Sequence, residues 1–409
     1  MRMSQAHESV TVDAQGMRAR NATLFLNLIW KERQVSRADL ARRTGLSPST
    51  VSAIVGDLER SGLVQSTGEG LSRGGRRPTL LGFFDDAFFI VGVELGATHV
   101  LVTLTNLRGQ VRAARQGAHA VQGDPDGALA LVRSFIDDCL RTERVPRRRL
   151  LGIGVAVPSP VHPATPGRLS PLILPAWSGY DVQAHLSGAY NVPVFVDNDA
   201  NMGALAEGWW GAGRAGDDLT YIKVATGIGA GYVIHGEVYR GAGGTAGEIG
   251  HLAVDPSGPR CMCGLNGCLA MFIGSPAIRA LARERMTGER GRTPTIADIV
   301  RSAKSGDPAA RTIIDEVGHY LGIAVAGLVN LMNPAVVVFG GEITAVGDLL
   351  LDRLRETVRE RTLSLSVNET RLVTSNLGEQ AIAVGAATLV LQAALRDRAL
   401  FPTPLSAVS

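Results

Sequence analysis

The chain has 409 residues, of which 45% are hydrophobic and 19% charged, and its formal net charge is +3. This composition is typical of a folded protein of two or three packed units and excludes a disordered or fibrous protein. The N-terminus is polar, and the longest apolar stretch, residues 322–340, is interrupted by Asn330, Asn333 and Pro334. The sequence therefore predicts neither a signal peptide nor a membrane span, and a cytoplasmic protein with no membrane partner.

Positive charge is concentrated at the N-terminal end. Residues 1–82 contain 12 Arg and Lys against 7 Asp and Glu, about +5, whereas the rest of the chain carries about −2. By itself this excess favours nucleic acid only weakly, because a charged run is usually a solvated surface.

The same segment has the pattern of a helix-turn-helix. Apolar residues at helical spacing predict a first helix over residues 20–31, and Ser36 opens a second helix that Gly45 ends. Ser47 can cap a third helix over residues 48–59. Small polar side chains on this third helix can approach DNA base edges closely, and they are Ser47, Ser49, Thr50 and Ser52.

A basic loop follows the three helices. Strands beginning near Leu63 and Thr79 enclose a glycine-containing loop with three arginines, Arg73, Arg76 and Arg77. Arginines on such a loop can enter the minor groove of DNA. Three helices alone could form a plain helical bundle, but the basic wing favours DNA binding. We therefore predict that residues 1–82 form a winged helix-turn-helix domain that binds double-stranded operator DNA.

From Phe88 onward, short β-rich runs alternate with helical segments, which is typical of α/β architecture. Two sets of strands are predicted, at residues 89–95, 100–106, 152–157 and 192–196, and near residues 220–224, 231–234 and 335–339. The main helices are predicted at residues 127–141, 276–287 and 308–332. Because no low-complexity linker separates the two sets, we expect two lobes that share a cleft.

A histidine and three cysteines have the spacing of a metal site. They are His251, Cys261, Cys263 and Cys268, and glycines within the cysteine segment allow a short loop to fold around an ion. One imidazole and three thiolates match a closed tetrahedral zinc site. Unrelated buried thiols would require neither the glycine spacing nor the nearby histidine. Four protein ligands leave no open position, so we predict structural rather than catalytic Zn²⁺.

Three further motifs lie beside predicted strands, and each is weak alone. Asp197-Asn198-Asp199 follows a strand, where a carboxylate could accept a hydroxyl proton, although an Asp-Asn cluster is more often a turn. Residues 92–98 and 226–231 could place backbone amides around phosphate, although β-turns need the same glycines.

In combination, these motifs make the chain resemble the ROK family (repressor, open reading frame, kinase) over about residues 20–395. The resemblance rests on the winged helix, Val93-Glu94-Leu95-Gly96-Ala97-Thr98, Asn198-Asp199, Thr226-Gly227-Ile228-Gly229, the segment Glu248–His251 with the three cysteines, and Gly340-Gly341. Repressor members carry the DNA-binding extension and kinase members lack it, so the chain is most similar to repressors of the xylose and N-acetylglucosamine type.

The resemblance implies an N-terminal winged helix followed by two actin-like lobes of the hexokinase superfamily. We expect the first lobe at residues 83–200, joined by a C-terminal helix at about residues 381–398. The second lobe, with the zinc site and a dimer interface, is expected at residues 201–380.

The resemblance also implies roles for individual residues. Sugar hydroxyls would be bound by Asn198, Asp199, Glu248 and His251, and Asp199 would be the catalytic base if kinase activity persists. His251 would serve both the metal and the sugar. The nucleotide motifs, considered vestigial, comprise Gly96, Thr98, Thr226, Gly227, Gly229, Gly340 and Gly341.

Departures from the family pattern count against kinase activity and against ATP and Mg²⁺ as cofactors. The first phosphate motif usually has Asp, paired glycines and often Lys, but Glu94, Ala97 and His99 stand in those places. In the second motif Ala225 replaces a usual glycine, and Ala270 replaces a glutamate that binds sugar in the family.

The sequence thus predicts a sugar-responsive transcriptional regulator, a homodimer or homotetramer that senses sugar in the cleft. An ATP-dependent sugar kinase, active or bifunctional, is the alternative, and a ligand-free DNA-binding or assembly protein is a third hypothesis. Trp177 could stack on a sugar or cap a core, and the sequence leaves both open.

Overall fold

A computed structural model of the protein describes residues 14–70, 77–171, 173–213, 216–286, 292–363 and 369–402. It contains one three-stranded and two five-stranded sheets surrounded by helices. The predicted fold class, a winged helix-turn-helix followed by a mixed α/β region, is confirmed.

The N-terminal region, hereafter the head, consists of three helices and a small antiparallel sheet. The helices are α1 (Ala14–Glu32), α2 (Arg37–Thr44) and α3 (Pro48–Arg60). The strands are β1 (Val35–Ser36), β2 (Val64–Glu69) and β3 (Thr79–Phe83), in the order β1-β3-β2. Ser36 caps α2 in a capping box with Asp39, and Gly45 ends that helix at φ 70°. These local signals form the turn that positions α3.

The first five-stranded sheet has the order β6-β5-β4-β7-β8. Its strands are β4 (Phe89–Leu95), β5 (His99–Asn106), β6 (Val111–Ala118), β7 (Leu150–Val157) and β8 (Val194–Asn198). Strands β4, β5 and β6 are antiparallel neighbours, whereas β7 and β8 run parallel to β4. The associated helices are α4 (Pro125–Thr142) and α5 (Val182–Tyr190).

The second five-stranded sheet has the order β11-β10-β9-β12-β13. Its strands are β9 (Leu219–Val224), β10 (Ile228–Ile234), β11 (Glu237–Tyr239), β12 (Val336–Gly340) and β13 (Arg371–Thr374). The helices of this half within the described residues are α7 (Ala270–Ile273), α8 (Ser275–Arg285), α9 (Ile296–Lys304), α10 (Pro308–Met332) and α11 (Asp348–Arg361). Apolar side chains of α10 and α11 pack with this sheet in one core.

Two helices lie between the sheets: α6 (Asp199–Trp210) and α12 (Ala381–Arg396). Helix α12 packs on β4, β7 and α6, and α6 packs on β9 and β10. The contacts are close enough to require glycine. A Cβ atom on Gly154 would lie 1.8 Å from the carbonyl oxygen of Ala386, and one on Gly231 would lie 2.3 Å from that of Ala200. The two helices therefore join the sheets into one packed interior.

The head shares a hydrophobic core with the rest of the protein. Phe25, Leu26 and Ile29 of α1 belong to the same buried cluster as Leu391 and Leu395 of α12. The side-chain amide of Asn27 on α1 also donates to the carbonyl of Leu395, at 2.8 Å. The head is therefore in direct contact with a central helix of the protein.

Two segments are long and apolar enough to cross a membrane, Pro308–Met332 and Gly378–Arg396, but 61% and 72% of their apolar windows are buried inside the protein. They are better explained as core helices.

Candidate functional site

The predicted DNA-contacting face of α3 is accessible. Ser47, Ser49, Thr50 and Ser52 are all exposed, while the opposite face of α3 is buried through Val51, Ile54, Val55 and Leu58. The hydroxyl of Ser47 accepts a hydrogen bond from the backbone N–H of Thr50 at 3.2 Å and so caps the helix. Arg77 is exposed beside β3, whereas Arg73 and Arg76 lie outside the described residues. Contact with DNA by these residues remains a prediction.

The predicted metal ligands come together. Nδ1 of His251 lies 3.6 Å from Sγ of Cys261, and Sγ of Cys263 lies 3.6 Å from Sγ of Cys268. All four candidate ligand atoms lie within 4.8 Å of one another. A tetrahedral ion with bonds of about 2.3 Å to sulfur would place its ligands about 3.8 Å apart. The four side chains therefore fit a bound metal ion.

Backbone geometry holds the cysteine loop in place. Gly264 and Gly267 have φ values of 92° and 69°, in the region that favours glycine. A Cβ atom on Gly267 would lie 1.5 Å from the carbonyl oxygen of Asp255. Hydrogen bonding, first from the backbone N–H of Leu265, lowers the pKa of Cys263 to about 7, which favours the thiolate that a metal requires.

The four predicted sugar-binding residues lie on two elements. Asn198 caps α6, because its side chain accepts from the backbone N–H groups of Ala200 and Asn201, and Asp199 is the first residue of that helix. Glu248 immediately precedes a short 3₁₀ helix, Ile249–His251, of which His251 is the last residue.

His251 stands between the metal ligands and Glu248. Its Nδ1 faces Cys261, and its Nε2 lies 3.9 Å from a carboxylate oxygen of Glu248. Burial raises the pKa of Glu248, His251 opposes this shift, and the charge of Asp199 adds to it. His251 is therefore placed beside both Cys261 and Glu248.

A lysine that the sequence analysis missed contacts Asp199. Nζ of Lys223 on β9 lies 2.6 Å from Oδ2 of Asp199, and the two side chains are only 14% and 9% exposed. Burial alone would lower the pKa of Lys223, but the charges of Asp199 and Glu94 and the hydrogen bond to Asp199 raise it. Lysine is scarce here, with three residues against 38 arginines, and this scarcity was the available signal.

A second missed pair supports the start of α6. Arg240 places Nε and Nη2 at 2.7 and 2.6 Å from Oδ2 of Asp197, and Asn201 donates to the other carboxylate oxygen at 3.0 Å. This buried network fixes the end of β8 immediately before Asn198 and Asp199.

The predicted nucleotide residues lie on corresponding hairpins. Gly96 and Thr98 are between β4 and β5, and Thr226 and Gly227 are between β9 and β10. Gly341, at φ 111°, packs against the carbonyl of Val224, where an added Cβ atom would be only 1.9 Å from the oxygen. Gly229 and Gly340 are the register partners of Lys223 on its two neighbouring strands.

The first hairpin is covered by a side chain. A Cβ atom on Gly96 would lie 2.4 Å from Cε1 of His99, so the imidazole rests against the glycine backbone. Nε2 of His99 is 3.6 Å from a carboxylate oxygen of Glu94, which is buried. The imidazole therefore covers the backbone of the first predicted phosphate motif.

Trp177 belongs to the core. Its side chain is 1% exposed, and its indole N–H donates to the carbonyl of Val121 at 2.7 Å. Of the two interpretations left open by the sequence, the structure supports core packing over sugar stacking.

These features are those of a winged helix-turn-helix head joined to an α/β region that contains a candidate metal site. Residues 90–393 match the ROK family, and residues 26–65 match the winged helix-turn-helix DNA-binding family. The chain therefore belongs to the ROK family.

Regulators match this chain over nearly its whole length. The xylose repressor of Bacillus subtilis is 32% identical, covering 91% of this chain and 94% of the relative. The transcriptional dual regulator NagC of Escherichia coli is 30% identical, covering 92% and 93%. A crystal structure of a ROK family transcriptional regulator, a homolog of the E. coli MLC protein, is 30% identical, has a TM-score of 0.79, and covers 94% and 98%.

Kinases match only part of the chain. A ROK family glucokinase from Streptomyces griseus, solved with glucose and AMPPNP, is 26% identical with a TM-score of 0.66. It aligns over 99% of its own length but only 74% of this chain. Because regulators match nearly the whole chain and kinases match only part of it, the comparisons favour a regulator that shares its fold with kinases.

Proposed function

We propose that the protein is a cytoplasmic, sugar-responsive transcriptional repressor. A homodimer, or a homotetramer built from it, binds operator DNA through α3 and the wing, and an unphosphorylated sugar in the cleft weakens that binding. The similarity to repressors named for xylose and N-acetylglucosamine supports both the regulator function and the effector class.

The proposal depends mainly on where helix α6 begins and ends. It begins at the candidate sugar residues Asn198 and Asp199 and ends at Trp209 and Trp210. Its 12 residues make a rod of roughly 18 Å. Because residues 199–207 are all buried, a displacement at one end is expected to move the other.

The far end of α6 contacts the head. The rings of Trp209 and Trp210 lie 5.3 and 6.2 Å from the ring of Trp30 on α1. The guanidinium of Arg108 lies over the same Trp30 ring, at 4.6 Å. Sugar binding at the start of α6 would reach α1 through side chains in contact and change the relative orientation of the two heads in a dimer.

Zinc has a structural role in this proposal. Zn²⁺ would supply a fixed anchor for the cysteine loop, held by His251, Cys261, Cys263 and Cys268. Its binding through Nδ1 would leave Nε2 of His251 beside Glu248, ready to hydrogen-bond a sugar hydroxyl.

An ATP-dependent kinase is the second candidate, and the retained pair Asn198 and Asp199 favours it. Glu94, the His99 ring over Gly96, and Lys223 on Asp199 count against it. A coupled nucleotide-release assay with a sugar panel distinguishes the two functions. Turnover that disappears in Asp199→Asn would establish the kinase.

The proposed function is tested with selected DNA. Duplexes bound by the purified protein are enriched from a random library, and the resulting operator is titrated with and without D-xylose, N-acetyl-D-glucosamine or D-glucose. We expect one of these sugars to weaken operator binding by about tenfold or more. Failure to select a specific duplex, or an operator affinity unchanged by every sugar, would refute the proposal.

Ser49→Glu supplies the matched control for DNA binding. An acidic residue in the first turn of α3 favours the helix, so the fold should be retained, but its charge opposes DNA phosphates. Operator binding should be lost while sugar binding remains unchanged.

Trp30→Leu tests the connection through α6. Removing the indole breaks its contact with Trp209 and Trp210, so operator binding should persist while its response to sugar falls toward none. The ratio of operator Kd values with and without sugar measures this effect. An unchanged ratio would show that the signal takes another route.

A further inference from the structure

Lys223 lies where the two predicted nucleotide motifs of the second sheet meet. Its register partners are Gly229 on β10 and Gly340 on β12, so its direct cross-strand neighbours have no side chains. Its ammonium binds Oδ2 of Asp199 at 2.6 Å, in a nearly buried ion pair. A compact ammonium can enter this narrow space, unlike the planar guanidinium used at most basic positions of the chain.

The charge of a second carboxylate, Glu94, also acts on Lys223. Glu94 is buried at the end of β4, and its charge contributes to the raised pKa of Lys223. His99 also lies near Glu94 and covers the Gly96 backbone. The carboxylates that would face a metal-bound nucleotide in a kinase thus already have basic side chains beside them.

We propose that Lys223 is a specificity-determining residue of the cleft. Its ammonium replaces a metal-bound nucleotide as the counter-charge of Asp199 and Glu94, so the site takes an uncharged sugar without Mg²⁺ or ATP. The contact with Lys223 uses Oδ2 of Asp199, which leaves Oδ1 as the acceptor for a sugar hydroxyl. This inference rests on the proposed sugar-binding function and defines how that site selects its ligand.

Calorimetric titration of the zinc-loaded, full-length protein tests the inference. D-xylose, N-acetyl-D-glucosamine and D-glucose are titrated in EDTA-free buffer without Mg²⁺, and again with Mg²⁺ and AMPPNP. For the sugar that binds, the wild-type Kd should change by less than about twofold, because uncoupled ligands do not alter each other's affinity.

Lys223→Met provides the second arm. Without Mg²⁺, its sugar Kd should rise about tenfold, because the two carboxylates lose their counter-charge. Millimolar Mg²⁺ should restore part of that loss in the variant and have no effect on the wild type. Lys304→Met, at an exposed position on α9, is the matched control and should behave as wild type.

The outcomes separate this inference from the proposed function. If wild-type sugar binding requires Mg²⁺ and AMPPNP, the inference about Lys223 is wrong but the proposed function is not affected. Unchanged sugar affinity in a folded Lys223→Met protein has the same meaning. If Lys223→Met does not fold, the wild-type sugar Kd values with and without Mg²⁺ and AMPPNP test the inference. Binding of none of the three sugars under either condition overturns the proposed function and this inference together. Sugar binding that leaves operator affinity unchanged refutes only the regulatory function.

Discussion

The two five-stranded sheets have the same topology but opposite charges at corresponding positions. In each, the first three strands are antiparallel, the last two run parallel to the first, and the first strand is central. The penultimate residue of the central strand is Glu94 in β4 and Lys223 in β9. One topology used twice therefore places an acid and a base at corresponding positions, and the base, Lys223, pairs with Asp199.

The hairpins after the central strands differ as well. His99 covers Gly96 in the first hairpin, whereas a Cβ atom on Gly227 in the second would meet nothing within 4 Å. The candidate metal ligands lie between β11 and β12 of the second half. The comparison shows that topology sets where a site forms, while a few side chains decide what it binds.

The largest expected effect follows from removing a metal ligand, which tests whether the second half depends on zinc. Cys268→Ser should reduce zinc from about one ion per chain to near zero and lower the melting temperature, because metal binding is coupled to folding. Elemental analysis and calorimetry measure both.

Cys139→Ser is the corresponding control in the first half, because Cys139 is buried in the core of that sheet. It should lose some stability and keep its zinc. Full zinc content in Cys268→Ser would contradict the site.

Removing one charge tests the acid-base difference between the sheets. Lys223→Met should lower the unfolding free energy by about 3–5 kcal/mol, because it leaves Asp199 buried without its partner. The double variant with Asp199→Asn should lose less than the sum of the single changes, as measured by urea denaturation. Strict additivity would show that the pair does not stabilise the fold.

Substitutions at two closely packed glycines test whether the two sheets support their helices equally. Gly154 lies under α12 and Gly231 under α6, each against a helix carbonyl. Changing either one to Ala should cost about 1–3 kcal/mol through overpacking. Gly227→Ala, in open space, should be nearly neutral. Thermal unfolding of the three variants would reject the equivalence if only one sheet responded.

The smallest effect is expected for His99→Ala, which leaves the first hairpin as open as the second. The His99 contact with Glu94 is partly exposed, so the unfolding free energy should change by less than about 1 kcal/mol. If Lys223 excludes the nucleotide as proposed, this variant should not bind AMPPNP, because Lys223 is still present. Nucleotide binding by this single variant would make His99 the principal barrier.

Local chemistry explains how much could be predicted. The caps at Ser36 and Ser47, the turn at Gly45 and the cysteine spacing act over a few residues, and the structure confirms the helices and the clustering of the ligands. The sequence analysis did not predict β1, β6, β11 and β13, which are short or outermost strands with polar residues and thus weak alternation.

The missed interactions join distant parts of the chain. Lys223 binds Asp199, which lies 24 residues earlier in the chain. Trp30 contacts Trp209 and Trp210, although the sequence of the first lobe lies between them. Periodicity and capping contain no information about such partners, because tertiary packing selects them. The site roles and domain boundaries inferred from the family resemblance remain predictions.

Because α1 and α12 share a core, the head also covers apolar surface of the rest of the protein. Leu391 and Leu395 are shielded in the cluster that contains Phe25 and Leu26. A chain starting after residue 82 would present this patch to water and is expected to self-associate. The head therefore shields apolar surface of α12, and its removal is expected to lower the solubility of the remaining chain.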